Sequence, residues 1–301
     1  MLNIPVFSRF APTVCVLASL TLCSVVPAAD PVGFCRYAGT LSPDGKYEFV
    51  WASSGLTPEQ RAALKEWPAG TTLDFDNSGF DSYLFDSVQG RFLTALPKID
   101  YWEGLGSRKN RGELYVAWAP DSRSAMVICE ERWDDLAILW VDPIENRTSD
   151  LQDSLEKACL QTLRTHEKER GNPNMQFSEP AILPGGVLVV DANAGHTKDG
   201  PYYHYRFVFR VTSAKGQAHA EFVKARKVSE KEDQAHDSGV DYDPDLNRYY
   251  GKLRAKLDDK SRAALKKEEE TWIQWRDKQP PEAKEKLTER RAVELRARLE
   301  N

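Results

Sequence analysis

One segment of the sequence spaces its side-chain oxygens like the start of a calcium-binding loop. In Asp74–Gly79, oxygen-bearing residues occupy the first, third and fifth positions, and glycine occupies the sixth. The twelfth position, where such loops need a bidentate glutamate, is Phe85, and only Asp81 or Asp86 could substitute, irregularly. We therefore interpret the segment as a polar turn between strands.

The other residues that could do acid–base, nucleophilic or metal chemistry are scattered along the chain. The 5 histidines have no H-x-x-x-H or HExxH spacing, and there is no G-x-S-x-G, Walker or dinucleotide-binding glycine motif. Adjacent carboxylates, as at Glu130-Glu131 and Asp134-Asp135, lie in strand–turn contexts where carboxylates are normally solvated. The sequence thus predicts a protein that is not an enzyme and has no cofactor or metal site. An unrecognised hydrolase is the minor alternative.

The first 29 residues have the order of a secretory signal peptide. Arg9 is the only charge ahead of an apolar run at 11–26, and Pro27-Ala28-Ala29 supplies small residues for cleavage. The run is shorter than the roughly 20 residues that a membrane-spanning helix needs, and no second apolar span follows. We expect a mature chain in the periplasm or secreted, with no membrane span after cleavage.

Export would leave three cysteines, Cys35, Cys129 and Cys159, in an oxidising compartment where a disulfide can persist. Three thiols allow one bridge and one unpaired residue, and the sequence leaves the pairing open. We favour a Cys35–Cys159 bridge, because Cys129 lies in an apolar strand pattern typical of a buried thiol.

The net charge of the chain is −5, and loss of Arg9 with the signal peptide makes it −6. A mildly acidic exported protein is a poor nucleic-acid binder and a better partner for cations or basic proteins.

Residues 30–228 are predicted to form mostly antiparallel strands, because aromatic and β-branched runs alternate there with turn residues. The predicted strands are 48–51, 72–75, 82–88, 91–96, 113–118, 125–130, 136–141, 181–183, 187–191, 203–212 and 219–227. Two helices are predicted among them, at 57–67 and 150–169.

Two predicted turns, Ser42–Gly45 and Ala119–Ser122, resemble the W-S-P-D-G hairpin turns of β-propeller blades. They lie about 77 residues apart, whereas propeller blades repeat every 40–45 residues. We therefore expect an α+β fold with propeller-like hairpins, and not a propeller.

Strand signals end at a polar stretch, residues 229–239, whose composition fits a linker. Apolar residues at helical spacing then predict three helices with short connections, a small bundle. The expected organisation is a signal peptide (1–29), a β-rich domain (30–228), the linker and a helical domain (240–301).

The predicted helices also carry polar residues in a defined order. The pattern comprises Leu246, Asn247, Tyr250, Leu253, Arg262, Leu265, Trp272, Arg276, Asp277, Arg291 and Leu295. Over residues 240–299, about a fifth of the chain, it resembles the LprI family of proposed lysozyme inhibitors. Glu268-Glu269 replaces the family's Ala-Gln, and the family's cysteine after Arg276-Asp277 is absent.

The resemblance implies an exported envelope protein that acts by protein–protein binding, with a basic protein such as lysozyme as partner. We expect the motif residues to specify the helical fold and not a reactive site. The alternative is a periplasmic ligand-binding or envelope-stress module with no effect on lysozyme.

Overall fold

Twelve β-strands and four α-helices make up the part of the chain that the computed structural model describes: residues 34–37, 39–52, 81–100, 114–130, 135–195, 202–214, 216–229 and 242–300. The strands are β1 (Phe34–Arg36), β2 (Tyr47–Ala52), β3 (Asp81–Asp86), β4 (Arg91–Asp100), β5 (Leu114–Trp118), β6 (Ala125–Glu130), β7 (Asp135–Asp142), β8 (Arg147–Asp150), β9 (Asn174–Leu183), β10 (Val187–Gly195), β11 (Tyr202–Ala214) and β12 (Gln217–Lys227). The helices are α1 (Gln152–His166), α2 (Tyr242–Lys256), α3 (Asp259–Arg276) and α4 (Pro281–Glu300).

The strands form three four-stranded sheets, in each of which consecutive strands pair antiparallel: sheet I (β1–β4), sheet II (β5–β8) and sheet III (β9–β12). This arrangement, followed by three C-terminal helices, confirms the predicted α+β fold. The helix expected at 57–67, the strand at 72–75 and the turn Asp74–Gly79 fall outside the described residues.

Each sheet has a turn with proline at its second position between its first and second strands, although only the third turn also has a left-handed third residue, Gly185 at φ 80°. These turns are Ser42–Gly45, Ala119–Ser122 and Leu183–Gly186, with proline second and a left-handed fourth residue at φ 73°, 58° and 73°. The first two turns touch, since the backbone N–H of Asp44 donates to Ser122 Oγ over 3.1 Å. The third turn has glycine where the others have aspartate, which hides it in the sequence.

Sheets I and II also share a turn between their third and fourth strands. Asp86 and Asp142 each accept backbone N–H groups from the second and third residues after them, over 2.9–3.1 Å. Gly90 and Asn146 then adopt left-handed φ angles of 66° and 53°. Sheets I and II therefore repeat one strand–turn unit, and sheet III shares only the position of the proline turn. Three described sheets are fewer than the four to eight blades of a propeller.

Sheet II lies between the other two sheets and packs against one of them on each of its faces. Successive residues of its strands point to opposite faces and so contact different sheets. In β6, Val127 points towards sheet I, where it packs with Phe49 and Leu84. Its neighbour Ile128 points the other way, into a core shared with α1 and sheet III that includes Phe207.

Helix α4 packs on the opposite face of sheet III and also reaches sheet I. Val293 and Ala297 complete an apolar cluster on sheet III. Nearer the start of the helix, Arg290 donates to the carbonyl oxygen of Gly39, in the segment between β1 and β2. A Cβ on Gly39 would lie 2.9 Å from the Cβ of Lys286, so only glycine permits this approach. The helix therefore contacts both ends of the three-sheet stack.

The structure does not contain the expected Cys35–Cys159 disulfide. Cys159 is a buried free thiol of α1, in the core between sheets II and III. Cys35 is on β1, opposite Trp51 in sheet I, so sheet II separates the two residues. Burial raises the pKa of the Cys159 thiol to about 12, with a smaller contribution from Glu156, and a thiol of this kind is inert.

Candidate functional site on the C-terminal helices

The helical segment is joined to sheet III by charged side chains that are buried. Asp191 and Arg206 are register partners on β10 and β11, and the guanidinium donates to both carboxylate oxygens, Nε over 2.6 Å and Nη2 over 2.7 Å. Both residues are at most 3% exposed, which makes this a desolvated bidentate pair. Nε2 of His204 lies 3.4 Å from the same carboxylate.

Helix α4 adds further charges to this pair. Nη2 of Arg296 lies 3.5 Å from Asp191 Oδ2 and also donates to Glu179 on β9. Glu300, at the end of α4, accepts from Arg206 over 2.6 Å and from Arg226 over 2.8 Å. The last turns of α4 are thus fixed to all four strands of sheet III.

Burial by itself would raise the pKa of the Asp191 carboxyl. Hydrogen bonds from His204 and Arg206, with the positive charges of Arg206 and Arg296, outweigh burial and hold that pKa well below its usual range. Asp191 is therefore an ionised buried carboxylate that depends on its cationic neighbours.

The motif predicted from the sequence does not include Asp191, Arg206 or Arg296. The sequence signal that could have identified two of them is a charged residue inside an apolar strand pattern. Asp191 follows Val190, and Arg206 lies between Tyr205 and Phe207. Such a residue is expected to be paired when its strand is buried.

The apolar motif residues lie together in the core of the helical segment. Leu246 and Leu253 of α2, Leu265 of α3 and Leu295 of α4 are buried in one cluster. Aromatic rings at the margin, including Tyr250 and Trp272, pack against it. The cluster holds α2 and α3 on the side of α4 that faces away from sheet III.

Arg291 of α4 is the charged centre of the same segment. It is 6% exposed, and its guanidinium bonds to Glu268 over 2.7 Å, to Glu269 over 2.7 Å and to Glu294 over 2.6 Å. Burial raises the pKa of Glu269 in spite of Arg291, whereas Arg298 and Arg291 lower that of Glu268 against the effect of burial. Glu268-Glu269, the departure from the family pattern, thus supplies two acceptors for Arg291.

The remaining motif arginines fix helix ends. Arg262 donates to the carbonyl of Leu257 over 2.8 Å and to that of Arg254 over 3.3 Å, which satisfies the last turn of α2. Arg276 donates to Asp277 over 3.0 Å and lies 5.1 Å from the centroid of the Trp272 ring.

Asn247, the last motif residue, is exposed on α2. It is part of an outer surface of α2 and α3 that is mainly cationic. The exposed basic residues there are Arg248, Lys252, Arg254, Lys256, Lys260, Lys266 and Lys267. Residues 242–300 contain 16 Lys and Arg against 13 Asp and Glu, a net charge of +3 in a chain of net charge −5.

Within the described ranges, no group of three or more His, Cys, Asp and Glu side chains is placed to hold a metal ion. No described helix is long and apolar enough to cross a membrane.

The family model described as "Lysozyme inhibitor LprI" matches residues 225–298. This match confirms the resemblance over the three helices and extends it into the end of β12. No curated protein sequence matches the chain.

Among solved structures, the chain is similar to TolB from Acinetobacter baumannii, with 13% sequence identity and a TM-score of 0.25. The similarity covers 62% of this chain and 34% of the TolB chain, so the chain spans about a third of that structure.

Proposed function

We propose that this protein is exported to the bacterial envelope and acts there by binding another macromolecule, with a basic protein such as lysozyme as its partner. The match of residues 225–298 to the LprI model carries the proposal. The signal-peptide order of residues 1–29 supports export to the periplasm or beyond.

The packing of the helices limits which of their surfaces can bind. One side of α4 is buried on sheet III through Val293 and Ala297, and another is buried against α2 and α3 through Leu295. The outer faces of α2 and α3 are the broad helical surface that remains accessible. A partner that recognises the LprI-like segment would dock there.

An inhibitor of this kind needs no chemistry of its own. It has to present a surface complementary to its target, and charge contributes mainly to the rate of association and to specificity. The helices carry a net +3, so the residues outside 242–300 carry −8. Attraction towards a basic enzyme would therefore come from the rest of the chain, whereas contact by the helices would rely on shape and apolar burial.

The proposal is tested by adding the mature protein in increasing amounts to a basic lysozyme that is hydrolysing cell walls. We expect turnover to fall stoichiometrically as a complex forms. Unchanged turnover at micromolar excess would contradict the proposal and favour the ligand-binding alternative.

Two matched variants locate the binding surface. Ile273 on α3 and Val223 on β12 are apolar side chains that are 40% and 51% exposed. Ile273→Glu should relieve inhibition, whereas Val223→Glu should inhibit like the unmodified protein. The reverse result would place the interface on sheet III.

A further inference from the structure

A small cleft opens between sheets II and III, and none of its lining residues belongs to α2, α3 or α4. Its volume is about 190 Å³, and its lining consists of Trp140, Asp142, Glu145, Arg147, Ser149, Ser213, Gly216 and Ala218. The sheets are joined there, because the backbone N–H of Ala218 donates to Ser149 Oγ over 2.9 Å. Sites for drug-sized ligands measure about 300–1,000 Å³, so this cleft has room for little more than one six-membered ring.

Trp140 leaves a hydrogen-bond donor unused at this cleft. The residue is 7% exposed, and its indole N–H has no acceptor among the residues that the structure describes. The N–H is not one of the unpaired polar atoms sealed from solvent, so we infer that it opens on the cleft that Trp140 lines. A buried indole normally finds a partner for its N–H, and here an oxygen in the cleft would supply it.

Trp118, on the same sheet, shows the contrasting case. It is also 7% exposed, but its indole N–H donates to the carbonyl oxygen of Thr40 over 2.8 Å. The two tryptophans therefore differ in hydrogen bonding at equal burial, which makes Trp118 a matched control.

The charged groups of the cleft restrict the kind of ligand it can hold. Arg147 lies 3.4 Å from Glu145, and its guanidinium lies over Gly216, where a Cβ would collide with it. The carboxylates of Asp142 and Glu145 disfavour an anion, and the guanidinium with the indole N–H disfavours a cation. An apolar ligand would desolvate these charges without compensation. Hydroxyl groups can pair with the carboxylate acceptors and with the guanidinium and indole donors, because each hydroxyl can both donate and accept a hydrogen bond.

We propose that this cleft binds one neutral sugar ring of a saccharide. The Trp140 N–H and Arg147 donate to hydroxyl oxygens of the ring, and Asp142 and Glu145 accept from its hydroxyl hydrogens. The site is independent of the helical surface and of the function proposed for it.

The test is an NMR titration of the ¹⁵N-labelled mature chain with neutral trisaccharides of glucose, mannose and N-acetylglucosamine. The indole N–H signal of Trp140 is identified as the one missing from Trp140→Phe. We expect at least one sugar to shift that signal with a dissociation constant on the order of 1 mM, because a single ring makes few contacts.

Trp140→Phe should weaken binding about tenfold through loss of one donor. Arg147→Ala changes a side chain that is 51% exposed, so it should preserve the fold and also weaken binding. Trp118→Phe should bind the sugar like the unmodified chain. The proposal would be overturned if no sugar shifts the Trp140 signal. It would also be overturned if Trp140→Phe and Arg147→Ala bind the sugar as tightly as the unmodified chain.

Discussion

Arg296 on α4 and Asp191 on β10 are 105 residues apart in the sequence, and their side chains approach to 3.5 Å in the structure. Arg206 bonds to Asp191 and to Glu300, so a continuous set of buried charges joins the helix to the sheet. Residues Pro31–Asn301 accordingly form one compact unit. The helices that match the LprI model are packed on the β-rich part of the chain through this set.

We expect Arg296→Ala to lower the free energy of unfolding by about 3 kcal/mol, because it removes one cation from a buried carboxylate and leaves a void. Urea denaturation checks this value. Arg248→Ala is the control, since its pair with Asp245 is on the surface, with 42% of the Arg248 side chain exposed, and should contribute less than about 1 kcal/mol. Equal losses in the two variants would show that the buried charges do not stabilise the junction.

The isolated segment 240–301 should not fold cooperatively. Without sheet III, Val293 and Ala297 lose their apolar partners and Arg296 loses both of its carboxylates. Far-UV circular dichroism of the segment should show weak helicity and a broad thermal transition. A sharp transition at the temperature of the intact chain would mean that the helices are an autonomous domain.

The contribution of Asp191 to the free energy of unfolding should decrease as the pH falls. Its folded-state pKa is depressed, so its stabilising effect is present above the unfolded-state pKa of about 3.9 and is lost as pH falls towards the folded-state value. The difference in unfolding free energy between the unmodified chain and Asp191→Asn should be constant from about pH 7 to 5 and narrow below about pH 4. Denaturation series at each pH measure it, and a difference that widens on acidification would contradict the assignment.

The two members of the Arg291–Glu269 pair should respond differently to substitution. Arg291→Ala leaves the buried Glu269 without its cation, while Arg298 still pairs with Glu268 and Glu294, and it should cost about 3–5 kcal/mol. Glu269→Gln should change stability by less than about 1.5 kcal/mol, because burial already disfavours the charge of Glu269 and Arg291 keeps two other partners. Thermal unfolding of both variants distinguishes these outcomes.

If a basic lysozyme is bound, the ionic-strength dependence of association reports which region meets it. If the cationic outer face of α2 and α3 contacts the lysozyme, the association rate should rise as salt is added, because screening weakens like-charge repulsion. If the acidic remainder of the chain contacts it, the association rate should fall, because screening weakens the attraction. Stopped-flow association at low and high salt measures the sign.

Periodicity was sufficient to predict most elements, because apolar spacing reflects which face of an element is buried. The strand predicted at 125–130 is β6, and the stripe containing Leu246 and Leu253 marks α2. β8 was missed, since Arg147–Asp150 is short and polar and is a strand only because it pairs with β7. Its last residue falls at the start of the helix predicted at 150–169.

The sequence alone does not predict which distant residues pair. It shows that Asp191 is a charged residue within a strand, but no neighbouring residue indicates that Arg296 is its partner. The Cys35–Cys159 expectation failed for the same reason, since only the order of the sheets shows that β1 and α1 lie on opposite sides of sheet II.

The bridging position of α4 has a consequence for the order in which the chain folds. Each described sheet pairs strands that are neighbours in the chain, so each can form before the residues that follow it are in place. Helix α4 follows the three sheets in the chain, and before it docks it does not cover the apolar residues Leu183, Val189 and Val208 on the outer face of sheet III. The folding protein therefore passes through a stage at which that face is open to chaperones or to aggregation, and docking of α4 ends this stage.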